Sequence, residues 1–156
     1  MPKYEKDLEY ATKFLNDHFQ MVLATSGKFP WICTVYYTVD SKRDIYFLTD
    51  PATIHAKQIS KNAKVALAIS DSPQTPASKK IGLQIYGLCK QVSGANKVTY
   101  AINLWKKTLG VTSKDYSYEG MVRKAIHGRM YKITPKKMKF FNEELWEEGK
   151  EKLIEL

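Results

Sequence analysis

The sequence predicts a mainly β protein, an antiparallel barrel with helices packed at its periphery. Three observations carry that expectation. Runs rich in β-branched and aromatic residues outnumber helical patterns. Most consecutive runs are joined by short polar connections, which suit antiparallel neighbours. Between the third and fourth runs a single helical pattern intervenes. Closure into a barrel is how such strands remove their exposed edges.

The elements follow in order. Residues 2–18 carry a helical stripe of Leu8, Ala11, Leu15 and His18/Phe19, and Pro2 suits a first helical position. Strands are expected at 20–26 (QMVLATS), 31–39 (WICTVYYTV) and 45–49 (IYFLT), with turns at 27–30 and 40–44. Asp50 then reads as the cap of a helix with Pro51 at its first position. Ile54, Gln58 and Ile59 share one face of that helix, which ends near Lys61-Asn62. Residues 64–70 (KVALAIS) are apolar almost throughout, which predicts a strand buried on both faces.

A Pro-containing polar loop is expected at 71–78 and a long strand at 79–93. Gly82 and Gly87 within that strand predict a bulge or a close backbone approach. Val98, Ala101/Ile102 and Trp105 make one face of a helix over 95–109. A short helix over 118–126, strands at 129–134 and 137–141 around Pro135, and a terminal helix over 143–154 complete the reading. No repeat or shift in composition divides the chain, so one domain over 1–156 is expected, with its barrel at about 20–141.

Composition narrows the function. The chain is 44% hydrophobic and 26% charged, ordinary globular values. No apolar run has the length of a membrane span, and MPKYEKDLEY has no signal-peptide core. A soluble cytoplasmic protein is the expectation. The net charge of +9 admits an anionic partner. Yet Arg43, Arg123 and Arg129 are the only arginines, and the lysine pairs at 79–80, 106–107 and 136–137 are scattered. Nucleic-acid readout favours Arg, so the charge reads mainly as a lysine-rich surface. Cys33 and Cys89 sit in apolar runs and read as small buried residues. His18, His55 and His127 lack ligand spacing, so no metal site is expected. No residue stands out as a catalytic acid, base or nucleophile.

One segment raises a specific question. In YFLTDPATIHAKQISKNAKVALAI (46–69), Thr49, Thr53 and His55 cluster where a helix begins. They either cap the helix or hold an anion at its positive end. Trp31, Tyr36, Tyr37 and Tyr46 read as core or interface aromatics, because strand alternation buries about half of such a set.

The order LAT (23–25), PWICTVYY (30–37), the 46–69 segment and GLQIYG (82–87) resembles the pyridoxamine 5'-phosphate oxidase-like, FMN-binding split-barrel family. The matching features are a strand ending in Thr, a turn with a Ser/Thr and a basic residue at its helical end, and Asn62-x-x-Val65 opening the next strand. The resemblance spans roughly residues 20–140. It implies a split barrel that binds FMN between two protomers of a homodimer and acts as an oxidoreductase with an unknown substrate. The implied cofactor site is Cys33, Thr34, Val35, Tyr36, Leu48, Thr49, Thr53, Ile54 and His55. Gln84 and His127 are expected to reach it from the partner protomer. Backbone groups of 33–36 would run along the flavin ring.

Cations of the family pattern are replaced at two places here. By spacing from Pro30, Cys33 stands where the oxidases carry Arg, and Thr53-Ile54-His55 stands for Ser-Arg-Lys. Vitamin B6 oxidase activity is therefore not implied. A non-enzymatic flavin- or haem-binding module stays open as an alternative, as does a basic nucleic-acid-binding barrel.

Overall fold

The computed structural model describes residues 5–71, 73–147 and 150–156. Helix α1 (Glu5–Asn16) precedes three strands, β1 (Gln20–Ser26), β2 (Pro30–Val39) and β3 (Ile45–Thr49). Helix α2 (Ile54–Lys61) leads into β4 (Lys64–Ser70) and β5 (Ile81–Gln91). Helices α3 (Ala95–Leu109) and α4 (Tyr118–Val122) precede β6 (Arg129–Asn142) and β7 (Lys152–Glu155). The strands are ordered β3-β2-β1-β4-β5-β6-β7, every pairing is antiparallel, and β3 also pairs with β6. That last pairing closes a six-stranded barrel, with β7 added outside on β6.

The closure is incomplete between β2 and β3. Strand β2 pairs with β1 from Pro30 to Tyr36, but with β3 only from Tyr37 to Val39. Among the described residues, one edge of β2 over 30–36 therefore has no strand beside it. This is the split in the barrel.

Strand β6 is one element where two were expected. Its first half pairs with β3 up to Ile133, and its second half pairs with β7 from Lys137. Pro135 lies in the gap between those ladders, where its missing N–H costs no bond. The β5–β6 register shifts between Tyr86↔Lys137 and Gly87↔Pro135, leaving Lys136 as the bulged residue. A Cβ on Gly87 would lie 2.7 Å from the Thr134 carbonyl oxygen, so the close approach requires glycine.

The expected terminal helix is corrected. Lys152–Glu155 forms a strand against Lys137–Phe140, and Ile154 is buried in the core. The open edge of β6 beyond β3 needs a partner, and that need overrides the local helical pattern. Residues 148–149 of that expectation, and Pro2 at the start of the first helix, lie outside the described residues. The short helix is also trimmed, to Tyr118–Val122.

Inside the barrel, Leu23, Tyr37, Phe47, Leu67, Ile85, Ile133 and Phe140 belong to one apolar cluster. A second cluster lies outside the wall, where α3 and α4 cover Tyr46 and Met130 with Val98, Ile102, Trp105 and Met121. Strand β4 corrects another expectation. Val65, Leu67 and Ile69 are buried, but Ala66 and Ala68 face outward and are exposed. Together with Val22, Ala24, Tyr86 and Leu153 they line an open apolar groove of about 470 Å³. The aromatics divide by strand alternation. Tyr37 and Tyr46 are buried, while Trp31 and Tyr36 remain 40% and 52% exposed.

Candidate functional site

The corner after β3 answers whether the Thr49, Thr53 and His55 cluster caps the helix. Asp50 is not the N-cap. Thr53 is, with extended backbone, and its hydroxyl accepts the Ala56 N–H. Asp50 and Pro51 precede it in a turn, where the Asp50 carboxylate accepts the Ala52 N–H and the Asp50 carbonyl accepts from both the N–H and the hydroxyl of Thr53. A residue three positions into the segment caps better because the turn spends Asp50 on its own backbone.

His55 turns inward with Ala56 and Ile59; of the expected face, Ile59 is buried and Gln58 half-buried, while Ile54 stays 42% exposed. His55 Nε2 lies 2.7 Å from the Thr49 hydroxyl and 3.2 Å from that of Thr53. Burial lowers the His55 pKa, so the imidazole is held neutral. Thr49, Thr53 and His55 thus come together as expected. They form a connected polar cluster without a formal cation. The N–H groups of Ile54 and His55 meet no acceptor among the described residues, and they are the donors this helix start has to offer.

The β2 residues sort by face. Cys33 packs against the barrel core on the side of Val35 and Tyr37, while Thr34 and Tyr36 face outward. Burial raises the Cys33 pKa and keeps the thiol protonated. Four consecutive residues cannot present side chains to one ligand, but their backbone can. Tyr37 donates its N–H to Phe19 in the direction of β1, so Thr34 and Tyr36 turn their backbone groups to the split edge. There the Tyr36 carbonyl already accepts Trp105 Nε1 at 3.3 Å.

Leu48 and Thr49 extend β3 past its last pair with β2 and so border the split. His127 is exposed on the loop before β6, close in sequence to Arg129, which pairs with Thr49 in the ladder. Gln84 lies elsewhere, exposed on the bare groove between Ala68 and Lys139. Within one chain the structure does not bring Gln84 to Thr49.

Sequence reasoning missed Arg129. Its guanidinium donates to the carbonyls of Met121, Ile126, His127 and Gly128, and so holds the loop that carries His127. Arginine is scarce in this chain, and that scarcity was the available signal. No group of three or more His, Cys, Asp or Glu able to hold a metal occurs among the described residues. No described helix is long and apolar enough to cross a membrane.

Comparison with known proteins fits this fold. ChuZ from Campylobacter jejuni superposes with a TM-score of 0.76 at 13% identity, over 99% of this chain and 61% of that one. This chain therefore spans about three fifths of ChuZ. A Clostridium acetobutylicum protein related to general stress protein 26, of the pyridoxinephosphate oxidase family, gives 0.66 at 15% identity, covering 97% and 96%. HutZ, a heme storage protein from Vibrio cholerae, gives 0.65 at 12% identity, covering 85% and 89%. At such identities the likeness establishes the fold. No curated protein sequence matches the chain. The sequence does match the pyridoxamine 5'-phosphate oxidase family over residues 9–141. With that match over most of its length and a split barrel beneath it, the chain belongs to the pyridoxamine 5'-phosphate oxidase family.

Proposed function

We propose that the protein is an FMN-binding flavoprotein of oxidoreductase type that works as a homodimer. The observation that carries this reading is the unpaired β2 edge over 30–36, which ends beside Thr49 and the start of α2. Apart from the Tyr36 carbonyl, which Trp105 takes, the N–H and C=O groups of this edge suit the heteroatom edge of a planar ring. The unpartnered Ile54 and His55 N–H groups suit a phosphate. Thr53 is the weaker donor, because its proton is given to Asp50. Thr49 can donate to an anion only when His55 Nε2 carries the proton and gives it to the Thr49 oxygen.

In charge, the corner falls short of a strong phosphate site. No cation stands at 53–55, so the residues fit FMN through hydrogen bonds and the helix dipole. Bound FMN would supply hydride transfer, and the protein's part is to bind and orient it and to exclude water. The apolar groove on β1, β4 and β5 fits a second copy of the chain. Its apolar outer row, Ala66 and Ala68, is unusual on a solvated strand. A second copy there would bring a Gln84 toward the first copy's site.

A second reading, a haem-binding module on the same fold, is favoured by the neutral corner and by the likeness to HutZ. The visible spectrum of the purified protein, recorded before and after adding FMN and gel filtration, separates the two. Flavin bands that elute with a dimer support the first reading. A Soret band replaces it with the second. A colourless protein that releases added FMN removes the cofactor assignment.

A further inference from the structure

A second cavity, of about 340 Å³, lies on the outer face of β5 and β6 where α3 begins. Four lysines line it, Lys90, Lys97, Lys132 and Lys136. Three of them are placed against a local preference. Lys90 and Lys132 are direct cross-strand partners, where like charges repel. Lys97 stands in the first turn of α3, at the positive end of the helix dipole. Lys136 is the bulged residue of β6, and a bulge re-aims its side chain.

Little compensates this charge. Lys132 meets Asp44 at 3.6 Å, and no carboxylate among the described residues lies within 4 Å of the other three. Helix α3 adds to the field. It starts at Gly94 without a side-chain cap and has no acidic residue in its first turn. Residues that break several local rules with the same sign of charge mark a site whose cost is offset by a ligand.

We propose that this cavity binds a small organic molecule carrying two or more phosphate groups. Lysines grip phosphate as point charges, and four of them exceed what one phosphate needs. Leu88 and Val92 offer an apolar wall for the organic part, and Ser93 and Thr134 offer hydroxyls. A nucleic-acid track fits less well, because the cavity is bounded and no aromatic stacking platform lines it. The site shares no residue with the β2–β3 split, so it does not depend on the cofactor reading.

The test uses the full chain and calorimetric titration with ADP and inorganic tripolyphosphate at physiological salt. Lys97→Gln/Lys136→Gln is compared with Lys79→Gln/Lys107→Gln, which removes the same charge elsewhere on the surface. The cavity pair should weaken ADP binding about tenfold or more and the control pair less than about twofold, as loss of two ion pairs predicts. Equal weakening by both pairs, or no ADP binding by the unaltered protein, overturns the proposal. So does loss of ADP binding on Thr53→Ala alone, which would place the phosphates at α2. A single-stranded RNA that displaces ADP and binds more tightly, with a steeper salt dependence, would also overturn it in favour of a nucleic-acid surface.

Discussion

The starts of α2 and α3 are built in opposite ways. At α2 a hydroxyl caps the helix, a neutral imidazole is buried behind it, and the polar atoms bond mainly to each other. At α3 there is no side-chain cap, and lysines from three elements surround the opening. The first start has order without charge. The second has charge that only Asp44 offsets. Helix ends that look alike as dipoles thus differ in what they can hold, because neighbours decide whether the dipole is spent on the fold or left for a ligand.

Several changes would break or sharpen that contrast. His55→Ala has the largest expected effect. It removes a buried side chain and strips Thr49 of its bond, so stability should fall by about 2–3 kcal/mol in chemical denaturation. A loss under about 0.5 kcal/mol would mean the α2 corner is not a structural cluster.

The same residue should leave a pH signature. Its folded-state pKa lies below the ordinary 6.5, so between those values the unfolded chain holds the extra proton. Stability should therefore be full above about pH 6.5 and fall as the pH drops from there toward the lowered value. His55→Gln should flatten that segment of the stability profile. An unchanged slope would show that His55 does not titrate differently on folding.

Thr53→Ala should cost about 1 kcal/mol, the usual loss of an N-cap, and Thr53→Asp should recover most of it. No recovery would point to the His55 contact rather than the cap. The smallest effect belongs to α3. Lys97→Gln/Lys136→Gln should leave stability within about 0.5 kcal/mol or raise it slightly, because it relieves repulsion at the surface. A clear loss in thermal melts would make those lysines part of the fold rather than a ligand site.

Much of this molecule was legible in residue order. Alternating and aromatic runs placed β1 to β5 within a residue or two of their observed ends, and the periodic stripe placed α3 to the residue. The nearness of Thr49, Thr53 and His55 was also legible, since one turn and one helix start separate them. Their roles were not. Asp50 and Thr53 are both good caps by type, and the tight turn that consumes Asp50 decided between them.

What the sequence determined by itself was local: strand period, turn chemistry, helix faces and the absence of strong cations at 53–55. Tertiary structure decided what depends on distant edges. The split opens because β2 outruns β3 by several residues, and pairing register is set by partners rather than by propensity. The C-terminal segment became a strand because β6 offered an unpaired edge there. The lysine cavity draws on β5, α3 and β6, nearly fifty residues apart along the chain at its extremes. Charge acts through space, so scattered lysines in sequence became one field only when the barrel closed.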